Sequence, residues 1–256
     1  MYFCRRKQTG KMKKIGLLSI VLMALTITAL GTEPLEENIK KDNSIKWNGS
    51  VSMQNQHYWR GMQTGSGLSF EAGASLSLSD GLTAGIWNGT ALNSSYKEID
   101  FYLTYSTHGY SFSVLDYYCP RDAVFSNEFG DLNETSTPHL VDIQVGYYPD
   151  HFPFSIMVST MVWGDDLDGQ GKNNYSTYIE LAYNNTIEDM TTQLLVGYNV
   201  WQSMYSESAG IVNIEATADY KIMQSGSFSL NCNTRFIYNP IRTDIYFGGG
   251  ISVKRH

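Results

Sequence analysis

A two-residue alternation of apolar and polar side chains runs along most of the chain after residue 46. Between residues 68 and 78 every even position is apolar, and the odd positions hold Ser, Glu or Gly. Because successive side chains of a strand point to opposite faces, this period of two predicts a strand with one apolar face. Asp80-Gly81 follows, a pair favoured in two-residue hairpin turns because Gly accepts positive φ, and the alternation resumes at 82–86.

The same pattern recurs until the chain contains twelve such segments. The first is predicted near residues 47–60, with Trp47, Val51, Met53 and Trp59 on its apolar face. Taken singly, each segment also fits a half-buried strand of a soluble sandwich or a lipocalin-type barrel. However, connections after even-numbered segments are short, and most of those after odd-numbered segments are longer. An even strand number with this loop rhythm is typical of outer-membrane barrels, so the sequence predicts an all-β fold, a twelve-stranded antiparallel transmembrane β-barrel.

Residues 1–31 have the form of a secretory signal peptide. Basic residues precede a short apolar stretch, and small residues follow at a suitable cleavage position. Met12 has the context of a natural start, so residues 1–11 are expected to be an extension ahead of it. Cleavage would leave a flexible leader at 32–45 and a single barrel domain at 46–256. Together with the strand pattern, the signal predicts a location in the bacterial outer membrane, in contact with its lipid.

The charge balance argues against nucleic acid as a partner. The full chain of 256 residues has 18 Lys and Arg against 25 Asp and Glu, a formal net charge of -7. Cleavage of the signal removes six of the basic residues and no acid, so the mature chain carries a net charge of about -13. Binding to phosphate backbones requires clustered Lys and Arg, which this balance does not offer. The high aromatic content, 13% of the residues, excludes a disordered chain.

A motif at 58–64 resembles the signature near the start of the Gcw_chp family, a group of outer-membrane barrel proteins of unknown function. Its matching residues are Tyr58, Arg60, Gly61 and Gln63. Two later stretches, at 84–88 and 98–102, are similar to that family's A-G-x-W and E-x-D-x-Y patterns. The resemblance covers roughly residues 50–120. It implies a location and a fold but no reaction, so no catalytic residue is carried over.

Ten ionisable residues lie on the polar face of the predicted segments. A basic side chain facing lipid costs about 2 to 4 kcal/mol near the membrane midplane, so charged side chains are predicted to point into the lumen. Eight acids and two Arg allow two arrangements: a plugged interior in which each Arg holds two carboxylates, or an acid-lined pore. The ten residues are Arg60, Glu71, Glu98, Asp100, Asp142, Glu180, Glu215, Asp219, Arg235 and Asp244.

Three hypotheses for the function remain open on this sequence. The first is a narrow, cation-preferring pore for small solutes or ions; the others are a lipid-active enzyme and a plugged structural or surface barrel. An enzyme would have to be built on His57 or His139, the two histidines predicted near the external rim. No G-x-S-x-G or H-E-x-x-H motif is present, and nothing indicates a cofactor. By elimination the pore comes first, and no enzymatic activity is expected.

The external loop near 164–172 contains a weak candidate for a calcium site. Asp165, Asp166 and Asp168 stand close together among glycines, and calcium prefers several oxygen ligands on a tight loop. The spacing of an EF-hand is not met, so a solvated acidic loop without metal is expected. Elsewhere, Cys119 and Cys232 are predicted at different depths in the barrel, which argues against a disulfide.

Overall fold

The computed structural model describes residues 46–121 and 128–256. The predicted signal peptide, its extension and the leader at 32–45 lie outside the described residues, as do residues 122–127 of one loop. Within the described ranges, no helix is long and apolar enough to cross a membrane.

The described chain contains fourteen strands, and twelve of them close into one barrel. Their bounds are β1 Trp47–Gln54, β2 His57–Trp59, β3 Met62–Gly65, β4 Ser69–Ser79, β5 Leu82–Ala91, β6 Lys97–Thr107, β7 Tyr110–Tyr118, β8 His139–Tyr147, β9 Phe154–Gly164, β10 Thr177–Ile187, β11 Met190–Asn199, β12 Gly210–Ser225, β13 Phe228–Asn239 and β14 Asp244–Arg255. β1 pairs in antiparallel fashion with both β4 and β14, which closes the sheet. The prediction of a twelve-stranded antiparallel barrel is confirmed.

The two faces of the barrel wall differ in polarity. On the outside, apolar side chains stay exposed at mid-strand, with Val114, Ile143 and Val158 at 44%, 45% and 39% exposure. On the inside, the strands present polar side chains, among them the fully buried Asp142 and Ser159. An apolar outer belt on a closed sheet is stable against lipid, where every backbone group must be paired within the barrel. The chain is therefore a transmembrane barrel of the bacterial outer-membrane type.

Short turns and longer loops lie at opposite rims of the barrel. Four connections at one rim have only two residues, and a fifth spans 148–153. These four turns are Asp80-Gly81, His108-Gly109, Glu188-Asp189 and Gly226-Ser227. The other rim carries the loops 119–138, 165–176 and 200–209. In outer-membrane barrels the short turns face the periplasm, so these loops are external.

The connection between β1 and β4 differs from the prediction. β1 ends at Gln54 and does not continue to residue 60. Trp59, expected on the same apolar face as Val51, belongs instead to the separate hairpin formed by β2 and β3, which we call the inward hairpin. Asn55 and His57 interrupt the apolar positions between Met53 and Trp59, and the strand ends where this interruption begins.

The inward hairpin is packed against a buried cluster on one side of the lumen. Tyr58 and Met62 of the hairpin are 7% and 3% exposed. The cluster joins side chains from β7 to β10, β12 and the loop at 200–209; its members are Met62, Tyr117, Leu140, Met157, Met161, Tyr178, Tyr205 and Val212. Much of the connection that follows the first predicted strand thus lies inside the barrel and narrows it.

Candidate functional site

The tip of the inward hairpin is a two-residue turn formed by Arg60 and Gly61. Both residues have positive φ, 47° and 79° respectively, as required by a type I′ turn, the connection whose twist best matches that of two paired strands. Gly61 also allows the hairpin tip to lie close to the barrel wall, because a Cβ there would lie 2.0 Å from the carbonyl oxygen of Val212. The Arg-Gly pair of the family-like motif therefore brings the tip into contact with the barrel wall.

Arg60 anchors this tip through a buried ion pair. Its Nη2 donates to Oδ2 of Asp142 at 2.9 Å, and the two side chains are 7% and 0% exposed. Nη1 donates to the hydroxyl of Tyr205, and the guanidinium carbon lies 4.6 Å from the ring centroid of Trp59 and 5.0 Å from that of Tyr178. Burial alone would lower the pKa of Arg60, but its neighbours, Tyr205 first among them, raise it well above the usual value. The guanidinium therefore stays charged.

Asp142 is held in place for this contact by the wall around it. Ser159 donates its hydroxyl to the carboxylate at 2.7 and 2.8 Å, and the amide of Gln144 donates at 2.8 Å. The hydroxyl of Tyr117 adds a bond of 3.2 Å. A carboxylate with this many donors is preorganised for a cation, and removing Arg60 would leave it buried without one.

Three of the four motif residues contact the wall of the barrel. Tyr58 donates its hydroxyl to the carbonyl of Phe247 at 3.0 Å, and Asn239 donates to the carbonyl of Gly61 at 3.2 Å. Gln63 differs from the other motif residues, since its amide donates to Gly65 within the hairpin. The motif thus forms a hairpin that folds into the lumen and is held there by its contacts with the wall.

Among the described residues, three ion pairs that involve Lys or Arg lie on the inner face. Besides Arg60 with Asp142, Arg235 lies 3.5 Å from Glu215, and Lys254 lies 2.8 Å from Asp219. Lys254 was not among the ten lumen-facing residues predicted above, although its position on the polar face of β14 could have revealed it. Neither Arg holds two carboxylates, so the closed network considered from the sequence is not the arrangement found.

Five of the eight inward acids have no Lys or Arg partner among the described residues, although Glu71, one of the five, contacts the ring of His57. In the described part of the chain, none of the five forms an ion pair with Lys or Arg; they are Glu71, Glu98, Asp100, Glu180 and Asp244. Most accept hydrogen bonds from neutral groups instead, such as the Tyr178 hydroxyl at 3.1 Å from Glu180 and the Tyr246 hydroxyl at 2.9 Å from Asp244. The inner face therefore keeps a surplus of negative charge after its bases are counted.

A cavity of about 310 Å³ lies beside the inward hairpin, and we call it the lumen cavity. It is bounded by side chains of the hairpin and of β1, β4 to β7 and β13. Its lining includes three of the acids without a basic partner, Glu71, Glu98 and Asp100. The structure thus gathers on one wall residues that the sequence could assign only to a common face.

The two histidines considered for an enzyme do not form a common site. His57 lies in the inward hairpin and contacts Glu71 through Nδ1 at 2.9 Å. His139 lies on the outward face at the external rim, where Nδ1 contacts Asp116 at 2.9 Å and Nε2 donates to the carbonyl of Phe129 at 3.0 Å. Both ring nitrogens of His139 thus face acceptor oxygens in this structure.

The three aspartates of the external loop point to separate partners. Asp165 pairs with Arg121 at 2.8 Å, and Asp166 accepts a bond of 2.7 Å from the amide of Ser176. Asp168 accepts from backbone amides of its own turn. Burial raises the pKa of Asp165 and of Asp166. Within residues 46–121 and 128–256, no group of three or more His, Cys, Asp or Glu side chains is placed to hold a metal ion.

Comparisons with known proteins give no family. No family model matches the chain, and no curated protein matches it. Among solved structures, an outer membrane channel from Pseudomonas putida F1 aligns at 13% identity over 86% of this chain and 99% of that chain, with a TM-score of 0.44. The KdgM porin aligns at 6% identity over 82% and 98%, with a TM-score of 0.46. The outer membrane protein opdK from Pseudomonas aeruginosa aligns at 11% identity over 75% and 57%, with a TM-score of 0.35.

Proposed function

We propose that this chain is a narrow outer-membrane pore for small solutes, that the inward hairpin is its constriction, and that it prefers cations. The observation that supports the proposal is the lumen cavity, where Glu71, Glu98 and Asp100 line one wall without a Lys or Arg partner among the described residues. In a narrow passage with low-dielectric walls, carboxylates attract cations far more strongly than they do on an open surface.

The width of the barrel agrees with a narrow rather than a wide passage. Twelve strands stand between the 8-stranded barrels that side chains fill and the 16-stranded porins that hold an aqueous channel. The inward hairpin and the buried cluster occupy one side of this lumen. We also propose that the Gcw_chp-like motif marks a family relationship, because its residues build the constriction.

Removing two of the cavity carboxylates should weaken the preference for cations. We expect the wild-type chain, in a planar bilayer under a salt gradient, to show a reversal potential whose sign corresponds to a preference for cations over anions. Glu98→Gln/Asp100→Asn should move that potential toward zero, because the wall loses its uncompensated charge. Asp244→Asn is the matched control: it also removes an inward carboxylate, but Asp244 does not line the cavity.

Two results would contradict this proposal. An anion preference in the wild type, or a reversal potential that the double change leaves unmoved, would show that these carboxylates do not line the conducting path. A complete absence of current from folded wild-type barrel would favour the plugged structural barrel instead.

No contact that we observe at His57 or His139 favours a lipid-active enzyme. We therefore expect His57→Ala and His139→Ala to leave the lipid A and phospholipid profiles of expressing cells unchanged. Mass spectrometry of extracted lipids compares each variant with the wild type and with cells lacking the protein. A lipid species that depends on the protein and disappears with His139→Ala would establish the enzyme.

A further inference from the structure

The lumen cavity has two chemically different kinds of wall. Aromatic rings form one kind: Trp59 and Tyr58 from the inward hairpin and Trp87 from β5. His57 joins them, with its ring 4.4 Å from that of Tyr96 in a stacked arrangement and 5.3 Å from that of Trp87. Flat π-faces at the edge of a cavity attract cations through their quadrupole.

Carboxylates form the other kind of wall. Glu98 and Asp100 lie two residues apart on the inner face of β6, and Glu71 lies on the inner face of β4. Oδ1 of Asp100 is buried and has no hydrogen-bond partner among the described residues. Two neighbouring carboxyl groups disfavour each other's charged form, and a cation placed between them relieves that repulsion.

The one arginine in the lining of this cavity does not neutralise its wall. Arg235 lines the cavity, but its guanidinium is paired with Glu215 at 3.5 Å. An anionic solute would therefore meet one Arg that already has a partner and three carboxylates that have no Lys or Arg partner in the described chain. This arrangement selects against anions and for cations.

We propose that the lumen cavity is a binding site for a small organic cation, an alkylammonium solute. This inference rests on the proposed function, since it names the class of solute that the pore would pass. The aromatic rings would contact the alkyl groups and the carboxylates the positive nitrogen, which is the combination that recognises ammonium ligands. A volume of about 310 Å³ accommodates such a solute and falls at the lower end of small-molecule sites.

An organic cation fits these walls better than a bare metal ion does. Hard metal cations require a shell of several oxygen ligands at short range. No group of three or more acidic, histidine or cysteine side chains in the described ranges converges in that way. Rings such as those of Trp59 and Trp87 offer a metal ion no oxygen, whereas they offer an alkylammonium both dispersion and a cation–π contact.

Choline and its neutral isostere 3,3-dimethyl-1-butanol separate charge recognition from shape. We expect isothermal titration calorimetry on the full chain, folded in detergent, to detect choline and not the alcohol. Glu98→Gln/Asp100→Asn should raise the choline concentration for half-saturation about tenfold or more, because both nearby carboxyl groups are lost. Trp87→Leu should also weaken binding, and Asp244→Asn, which lies outside the cavity, should leave it unchanged.

The titration tests the binding site by itself, without any measurement of current. Equal binding of choline and the alcohol, or choline binding that survives both the carboxylate and the Trp87 changes, would overturn the proposal. So would the absence of choline binding to folded wild type. Folding of each variant is checked by its shift on gels between unheated and boiled samples, and Trp87→Leu serves as the test if the double variant does not fold. Because the titration needs no conduction, a barrel that binds choline but carries no current would contradict the pore while leaving the site intact.

Discussion

Arg60→Ala is expected to destabilise the folded barrel by about 3 to 5 kcal/mol, the cost of removing one partner from a buried ion pair. The change leaves Asp142 fully buried without its cationic partner, and the hydrogen bonds from Ser159 and Gln144 do not replace the lost guanidinium. It also removes the contact with Tyr205, which ties the external loop at 200–209 to the hairpin. Denaturant-induced unfolding of the barrel from detergent or lipid vesicles measures the loss.

Two companion variants distinguish a lost ion pair from a general effect of losing an arginine. Arg242→Ala removes an exposed arginine at an external turn and should change stability by no more than about 0.5 kcal/mol. Arg60→Met/Asp142→Leu removes both charges together and should recover much of the loss, since buried pairs can often be replaced by apolar side chains without cost. If Arg60→Ala is as stable as the wild type, then the hairpin is not held by this pair.

Gly61→Ala is expected to raise the single-channel conductance severalfold by displacing the inward hairpin. The added Cβ would lie 2.0 Å from the backbone oxygen of Val212, on a residue whose φ is +79°. The wall cannot easily move away, because it is a strand of the closed barrel. The turn cannot change its backbone conformation without strain, because it requires positive φ. The hairpin pairs with no barrel strand, so it can move away while the barrel stays closed. Conductance in planar bilayers measures the change.

A second glycine of the external side provides the control for this experiment. A Cβ on Gly169 would meet no atom within 4 Å, so Gly169→Ala should leave the conductance as it is. Both variants are first shown to be folded barrels by their shift on gels before and after boiling. Folded Gly61→Ala with wild-type conductance would show that the hairpin tip does not limit the passage.

The same two residues explain why the family-like motif has its form. Arg at the first turn position and Gly at the second give a tight hairpin whose tip carries a long cationic side chain. The side chain reaches Asp142, which lies 82 residues away in sequence, and Tyr205, which lies 145 residues away. In this chain the motif therefore places a hairpin inside the barrel as part of the first external connection. This interpretation stays a prediction for other chains with the same residues.

The sequence by itself determined the number of barrel strands, the polarity of their two faces and the rim at which most of the connections lie. These properties follow from local rules: side chains alternate along a strand, and short turns have a recognisable composition. Asp142 and Glu98 could be placed on the polar face in this way, and the same rule would also have found Lys254. No tertiary contact is needed for that assignment.

Only the tertiary structure decided where the segment after Gln54 goes and which charges meet. The parity that Trp59 shares with Val51 fits an extended outer strand as well as an inward hairpin, because both are strands with a period of two. The choice depends on Arg60 meeting Asp142 and on Met62 packing in the buried cluster. Such pairings join positions far apart in the chain, and their energy depends on closure of the barrel, which brings opposite walls together. A pattern of neighbouring residues therefore does not reveal which distant residues meet.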